Sequence, residues 1–291
     1  MLSLVLPKGS LERPTLDLFE SADLNVRRGS ERDYHASIDD PRIDRVRFLR
    51  PQEIPQYVER GLFDLGITGR DWIAETGADV VSQAELEYSK ATANPVRVVL
   101  AVPKESPAER GDQLPDGVRV STEYPQLTQA FFDKAGVRAV TVPSYGATEA
   151  KVPDIVDAIV DVTETGSSLR KHGLKIIETL VTSRTELVAN SEAAADADKH
   201  AAMDDIALLL HGAIQARGNV LLKLNVPAGQ LDPVLNVLPA MSSPTVTTLA
   251  SADMHAVESV VPKSTVNTLI PALKAASARD ILELPISKIV D

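Results

Sequence analysis

The chain has 291 residues, 44% hydrophobic and 24% charged, enough for two or three globular domains with real cores. Its net charge of −11 and the lack of any Lys/Arg block argue against a nucleic-acid partner. Without cysteine there are no disulfides, thiolate metal sites or cysteine nucleophile, and no apolar run reaches the roughly 20 residues of a membrane helix.

The opening MLSLVLPKGS has no basic lead and runs straight into a predicted strand, so a cytoplasmic protein is expected. From residue 1 to about 180, short apolar runs alternate with helical stretches. Strands are expected at Leu2–Leu6, Val46–Leu49, Leu65–Thr68, Val96–Val102, Val118–Ser121, Val137–Val142 and Ala158–Val160. Helices are expected at Leu11–Ala22, Ile54–Arg60, Arg70–Glu75 and Pro125–Ala135. Such alternation predicts parallel sheets covered by helices. The segment 104–117 reads as a turn-rich surface loop, and Trp72 as core.

Glu192–Arg217 reads as one helix, with Met203, Ile206, Leu210, Ala213 and Ile214 on one face and Gly218 as its stop. Beyond it the pattern becomes strand Val220–Val226, helix Leu231–Leu238, strands Val246–Leu249 and Ala256–Val261, helix Thr265–Ala276 and strand Ile281–Ile286. In that last strand Leu282, Leu284 and Ile286 are expected on a buried face. The order β-α-β-β-α-β predicts a ferredoxin-like module.

In open α/β sheets, ligands bind where strands end and lead into helices. Four such junctions share a flavour: Pro7-Lys8-Gly9-Ser10, Gly66-Ile67-Thr68-Gly69-Arg70-Asp71, Ser121-Thr122-Glu123-Tyr124-Pro125, and the run from Asp161 to Ser168. The fourth is the richest. A buried strand delivers the Asp161 carboxylate, and Thr163, Thr165, Gly166, Ser167 and Ser168 follow. A glycine there lets backbone N–H groups converge on an anion, while hydroxyls add donors. The acid beside them suits ribose hydroxyls or a magnesium ion. One such junction is an ordinary turn; four together point to a phosphorylated ligand. The five histidines lack ligand spacing, and neither a Gly-x-Ser-x-Gly elbow nor a Gly-x-x-x-x-Gly-Lys-Ser/Thr loop is present.

These motifs have a known counterpart. LPKGSL at 6–11, LRPQEIP at 49–55, DLGITGRD at 64–71, STEYPQL at 121–127 and DAIVDVTETGSSL at 157–169 stand in order and spacing. With SPTVTTL at 243–249 and DILELPI at 280–286, the chain resembles the long form of ATP phosphoribosyltransferase, the first enzyme of histidine biosynthesis. Two departures exist: Ser168 stands where threonine is usual, and the stretch from Glu149 to Asp161 is about one residue short and lacks its usual glycine. The resemblance implies a two-lobed α/β region like type II periplasmic binding proteins, plus a ferredoxin-like regulatory domain. Residues 1–90 with 180–212 would form the first lobe, 91–179 the second, and 213–291 the regulatory domain.

It also implies the chemistry: transfer of phosphoribose from phosphoribosyl pyrophosphate to N1 of the ATP adenine, with pyrophosphate released and Mg2+ as cofactor. Thr163, Thr165, Gly166, Ser167 and Ser168 would hold the 5-phosphate. Asp161, with Glu149, would serve the ribose hydroxyls or magnesium. Lys8, Gly9, Arg50 and Gly69 would serve the phosphates of ATP or of the leaving pyrophosphate, and Tyr124 would flank base or ribose. Asn225, Ser243 and Thr245 would bind histidine as inhibitor, and dimers would assemble into hexamers. Two other readings remain: a non-catalytic solute-binding or ligand-sensing protein of the same fold, and a phosphoribosyltransferase acting on another base.

Overall fold

The computed structural model describes residues 1–88, 95–241, 243–250 and 253–290; the crossing expected near residue 90 lies outside them. The chain divides into two compact units, Met1–Glu20 with Leu24–Ala207, and Ser21–Asp23 with Leu208–Asp291.

In the first unit, strands β1 (Leu2–Pro7), β2 (Val26–Arg27), β3 (His35–Ile38), β4 (Ile43–Leu49), β5 (Leu65–Gly69) and β6 (Val81–Leu86) belong to one sheet. Strands β7 (Val96–Pro103), β8 (Val118–Thr122), β9 (Ala139–Pro143), β10 (Ala158–Thr163) and β11 (Leu174–Ser183) form another. Strand β12 (Thr185–Ala189) then returns to the first sheet. The spatial orders are β2-β3-β4-β1-β5-β12-β6 and β9-β8-β10-β7-β11. Both contain one plan. Three parallel strands, β4-β1-β5 or β9-β8-β10, are followed by an antiparallel strand from beyond the crossover, β12 or β7. This is the two-lobed plan, like that of type II periplasmic binding proteins, that the family resemblance implies; the β/α alternation by itself predicts only the helix-covered parallel strands.

The central strands are apolar runs buried on both faces, as parallel strands under helices must be. All six residues of β1 and all five of β5 are buried. The helices of this unit are α1 (Glu12–Ser21), α2 (Ile54–Glu59), α3 (Arg70–Thr76), α4 (Pro125–Ala135), α5 (Ser167–Lys171), α6 (Ser191–Ala195) and the start of α7 (Ala197–Ala216). The helix expected over Glu192–Arg217 is in fact two. Asp196 interrupts it, accepting the Asp198 and Lys199 N–H groups at 3.0 Å each, so a short polar side chain caps a new start.

The second unit carries β13 (Asn219–Pro227), α8 (Leu231–Val237), β14 (Thr245–Thr248), β15 (Met254–Pro262), α9 (Val266–Ala275) and β16 (Arg279–Pro285). Its all-antiparallel order β14-β15-β13-β16 is the ferredoxin-like arrangement. Leu222, Leu224, Val257 and Val261 meet Val234, Leu269 and Leu273 of the two helices in its core. The expected buried face of β16 is not observed: Leu282 and Leu284 are 54% and 39% exposed. Leu282 pairs with Lys223 and Leu284 with Leu221, on the face opposite core residues Leu222 and Leu224, and Ile281 packs against the core instead.

Candidate active site

A cleft of about 450 Å³ opens between the two sheets of the first unit. Gly69, Asp71 and Trp72 line it from the end of β5, Glu123 and Tyr124 from the end of β8, and Asp161 and Thr163 from β10. Three of the four sequence-predicted junctions therefore meet there, and Ser10 represents the remaining one. Lys8, Gly9 and Arg50 are not on its wall, although their neighbours Ser10 and Pro51 are; Thr165, Gly166, Ser167, Ser168 and Glu149 do not line it either.

The hydroxyl loop is tied to itself. Thr163 Oγ1 accepts the Gly166 N–H at 2.8 Å, Thr165 Oγ1 accepts the Ser167 N–H at 3.4 Å, and Arg170 donates to the Thr165 carbonyl at 3.0 Å. Gly166 starts α5 at φ +71°, in the left-handed region that side chains avoid, and its position folds the loop back. Ser168 Oγ donates to Glu149 Oε1 at 2.9 Å. The Glu149 carboxyl is held below its usual range by its own backbone N–H, with Ser168 and His172 adding to this.

Asp161 behaves oppositely. Desolvation pushes its carboxyl up to about 6, and the nearby Glu149 and Glu123 charges push the same way. Against this stand the Val162 N–H, donated to Oδ1 at 2.7 Å, and the charge of Lys151.

The Tyr124 side chain is built in. Its ring stacks on Trp72 at 4.5 Å between centroids, and its hydroxyl donates to Asp71 Oδ2 at 2.7 Å. Ser183 Oγ donates to Asp71 Oδ1 at 2.5 Å and accepts the Asp71 N–H at 3.1 Å. Burial and the Asp71 carboxylate together drive the Tyr124 hydroxyl upward, so it stays protonated. Trp72 is thus a cleft residue as well as packing against the second sheet's core. Gly69 sits so close that a Cβ there would lie 2.1 Å from Asp71 Oδ1. Sequence reading chose Gly69 from its motif but missed Asp71, two residues on, and Ser183, at the end of an unrecognised strand.

Lys8 reaches the Glu31 carbonyl at 2.8 Å and Glu12 at 3.7 Å, with its ammonium over the Tyr34 ring. Arg50 is exposed and makes no ion pair among the described residues. In the second unit, Asn225 donates to Asp280 at 2.9 Å, and Thr245 and Ser243 are exposed. Thr245 pairs with Glu258 and Asn225 with Ala256, so both face away from the two helices. Among the described residues no cluster of three His, Asp or Glu is placed to hold a metal, and no helix is long and apolar enough to cross a membrane.

Residues 50–212 match the family profile described as ATP phosphoribosyltransferase, and residues 216–288 match that described as HisG, C-terminal domain. A curated ATP phosphoribosyltransferase of Pelotomaculum thermopropionicum is 47% identical over 291 residues, covering 99% of either chain. The chain belongs to the ATP phosphoribosyltransferase family. The presence of both regions places it with the family's long form. A second member, from Chlorobium luteolum, is 46% identical over 100% of this chain and 98% of its own. The solved ATP phosphoribosyl transferase (HisG:HisZ) complex from Thermotoga maritima superposes with a TM-score of 0.59 at 26% identity, over 71% of this chain and 98% of that one.

Proposed function

We propose that this enzyme transfers the phosphoribosyl group of phosphoribosyl pyrophosphate to N1 of the ATP adenine and releases pyrophosphate, opening histidine biosynthesis. Full-length identity to curated ATP phosphoribosyltransferases carries this reading. The assignment of roles is supported by Asp161, the cleft carboxylate answered by a single backbone N–H.

Adenine N1 attacks with a free lone pair and has no proton to lose, so no general base is required. As the bond from C1 to pyrophosphate breaks, positive charge develops on the ribose ring. The carboxylate of Asp161 accepts from ribose hydroxyls and places negative charge near that ring. Thr163, Thr165, Gly166, Ser167 and Ser168 hold the 5-phosphate, which requires their mutual hydrogen bonds to be exchanged for bonds to ligand. Glu149 anchors the loop through Ser168 and so sets where the ribose lies. Gly69 on the wall, with Lys8, Gly9 and Arg50 at the rim, meets the phosphates of ATP or departing pyrophosphate. Tyr124 supplies a fixed edge to base or ribose. These groups work by positioning two polyanions.

Asp161 fits magnesium bound mostly by substrate phosphate oxygens, since no cluster of three such ligands stands among the described residues; the ion would supply charge neutralisation to the leaving group. A cytoplasmic location and assembly beyond the monomer complete the proposal. The test mixes ATP, phosphoribosyl pyrophosphate and magnesium and follows the absorbance change of N1-substituted adenine. Product is expected; ligand binding without product would overturn the reading.

For the second unit we propose a histidine site at Asn225 and Thr245, on an open sheet face, with Ser243 just before β14. Thr245→Ala should abolish inhibition by histidine while leaving uninhibited turnover within twofold. Retained inhibition would reject that site.

A further inference from the structure

Among the described residues, half-buried lysine ammonium groups are almost all matched by carboxylates. Lys8 meets Glu12, Lys175 meets Glu109, Lys199 meets Asp64 and Lys288 meets Asp23. Among the described residues Lys151 is the one half-buried lysine with no ion pair. Its ammonium donates to Ser144 Oγ at 2.6 Å and Ser121 Oγ at 3.2 Å, both neutral and both buried. Ser144 in turn bonds Thr148 at 2.8 Å. The hydroxyls orient the charge without neutralising it. Taking a charge out of water without an ionic partner costs free energy, so the arrangement is one that a bound anion repays.

Its place in the fold fits that use. Lys151 closes the short turn Thr148–Lys151, whose Glu149 grips Ser168 of the hydroxyl loop. Ser121 is the penultimate residue of β8, one before Thr122 and three before Tyr124, and its partner across the sheet is Ile159, two residues before Asp161. The lysine thus stands at the strand exits that deliver the cleft residues, and its charge is felt by Asp161.

Resting on the phosphoribosyl-transfer reading above, we propose that Lys151 is a further substrate-binding residue, whose ammonium meets a phosphoryl group of the pentosyl donor. Lysine suits this as a compact point charge with three donors, two already placed by hydroxyls. The shared chemistry is a phosphoryl oxygen, belonging either to the 5-phosphate or to the pyrophosphate.

The experiment is calorimetric titration of wild type, Lys151→Met, Lys151→Gln and Lys151→Arg with phosphoribosyl pyrophosphate, ribose 5-phosphate, inorganic pyrophosphate and ATP. Thermal melting confirms folding, and the Gln variant retains hydrogen bonding to the two serines if the Met variant does not fold. Both neutral variants should weaken donor binding roughly 10- to 100-fold, the loss of one charge-assisted hydrogen bond. The Arg variant should stay within about threefold of wild type, and ATP should bind all four alike. Weakened ribose 5-phosphate binding would assign the contact to the 5-phosphate, and weakened pyrophosphate binding alone to the leaving group. Folded neutral variants that bind the donor as tightly as wild type would overturn the proposal while leaving the enzyme reading intact. A wild type that binds no donor at all would overturn both.

Discussion

Carboxylates on the two sides of the cleft are partnered to different degrees: Asp71 lines one wall, with Glu75 further along α3 and Glu186 paired to Arg70, and Asp161 lines the other. On the α3 side each of these three is answered by hydrogen bonds. Asp71 accepts from Tyr124 and Ser183, Glu75 accepts the Gln126 and Leu127 N–H groups at 2.9 Å each, and Glu186 beside it takes Arg70 and Ser82 at 2.5 and 2.7 Å. On the β10 wall, Asp161 has one N–H and two acidic neighbours. Satisfied carboxylates fix geometry: Glu75 caps α4 from another helix, and Asp71 holds the Tyr124–Trp72 stack upright. An under-answered carboxylate in a cleft lowers stability and is retained for a ligand.

Substitutions on the two sides should therefore separate activity from stability. The largest effect belongs to Asp161→Asn, for which turnover should drop roughly 10²- to 10³-fold in the coupled absorbance assay, with far-UV circular dichroism unchanged. Near-normal turnover would remove Asp161 from its role. Next comes Glu75→Ala, which orphans two N–H groups at the start of α4; urea unfolding should show a loss of about 1–2 kcal/mol. Tyr124→Phe is the mildest, removing one hydrogen bond to Asp71 while the ring keeps its stack, and should cost about 1 kcal/mol. If the α3-side variants lost activity but not stability, the contrast between the sides would be false.

Much of this was legible from residue types. Pro125 and Gly136 mark the limits of α4, and the glycine- and hydroxyl-bearing junctions announce strand ends, because backbone geometry demands those residues locally. What was not legible depends on distant partners. The cap of α4 is Glu75, about fifty residues earlier, so nothing near Tyr124 signals it. Strands β11 and β12 change sheets across the single residue Arg184, with no glycine or proline to punctuate the switch. Alternation puts Leu282 and Leu284 on one face, but which face is buried is set by pairing with Leu221 and Lys223 of β13, about sixty residues earlier, and that face points away from the core. Lys151 carries no local sign at all, since its meaning comes from what fails to pair with it.

The central claim is that Asp161 is kept at a cost to the fold. Its native carboxyl titrates near 6 against an ordinary value of 3.8, so the fold favours the protonated form. That contribution is complete below about pH 4 and vanishes as pH climbs through about 6. The deciding measurement is the difference in unfolding free energy between Asp161→Asn and wild type, ligand-free, from pH 4 to pH 8. The variant should be level with wild type near pH 4 and more stable by on the order of 2 kcal/mol above pH 7. A variant equally or less stable across that range would contradict the account.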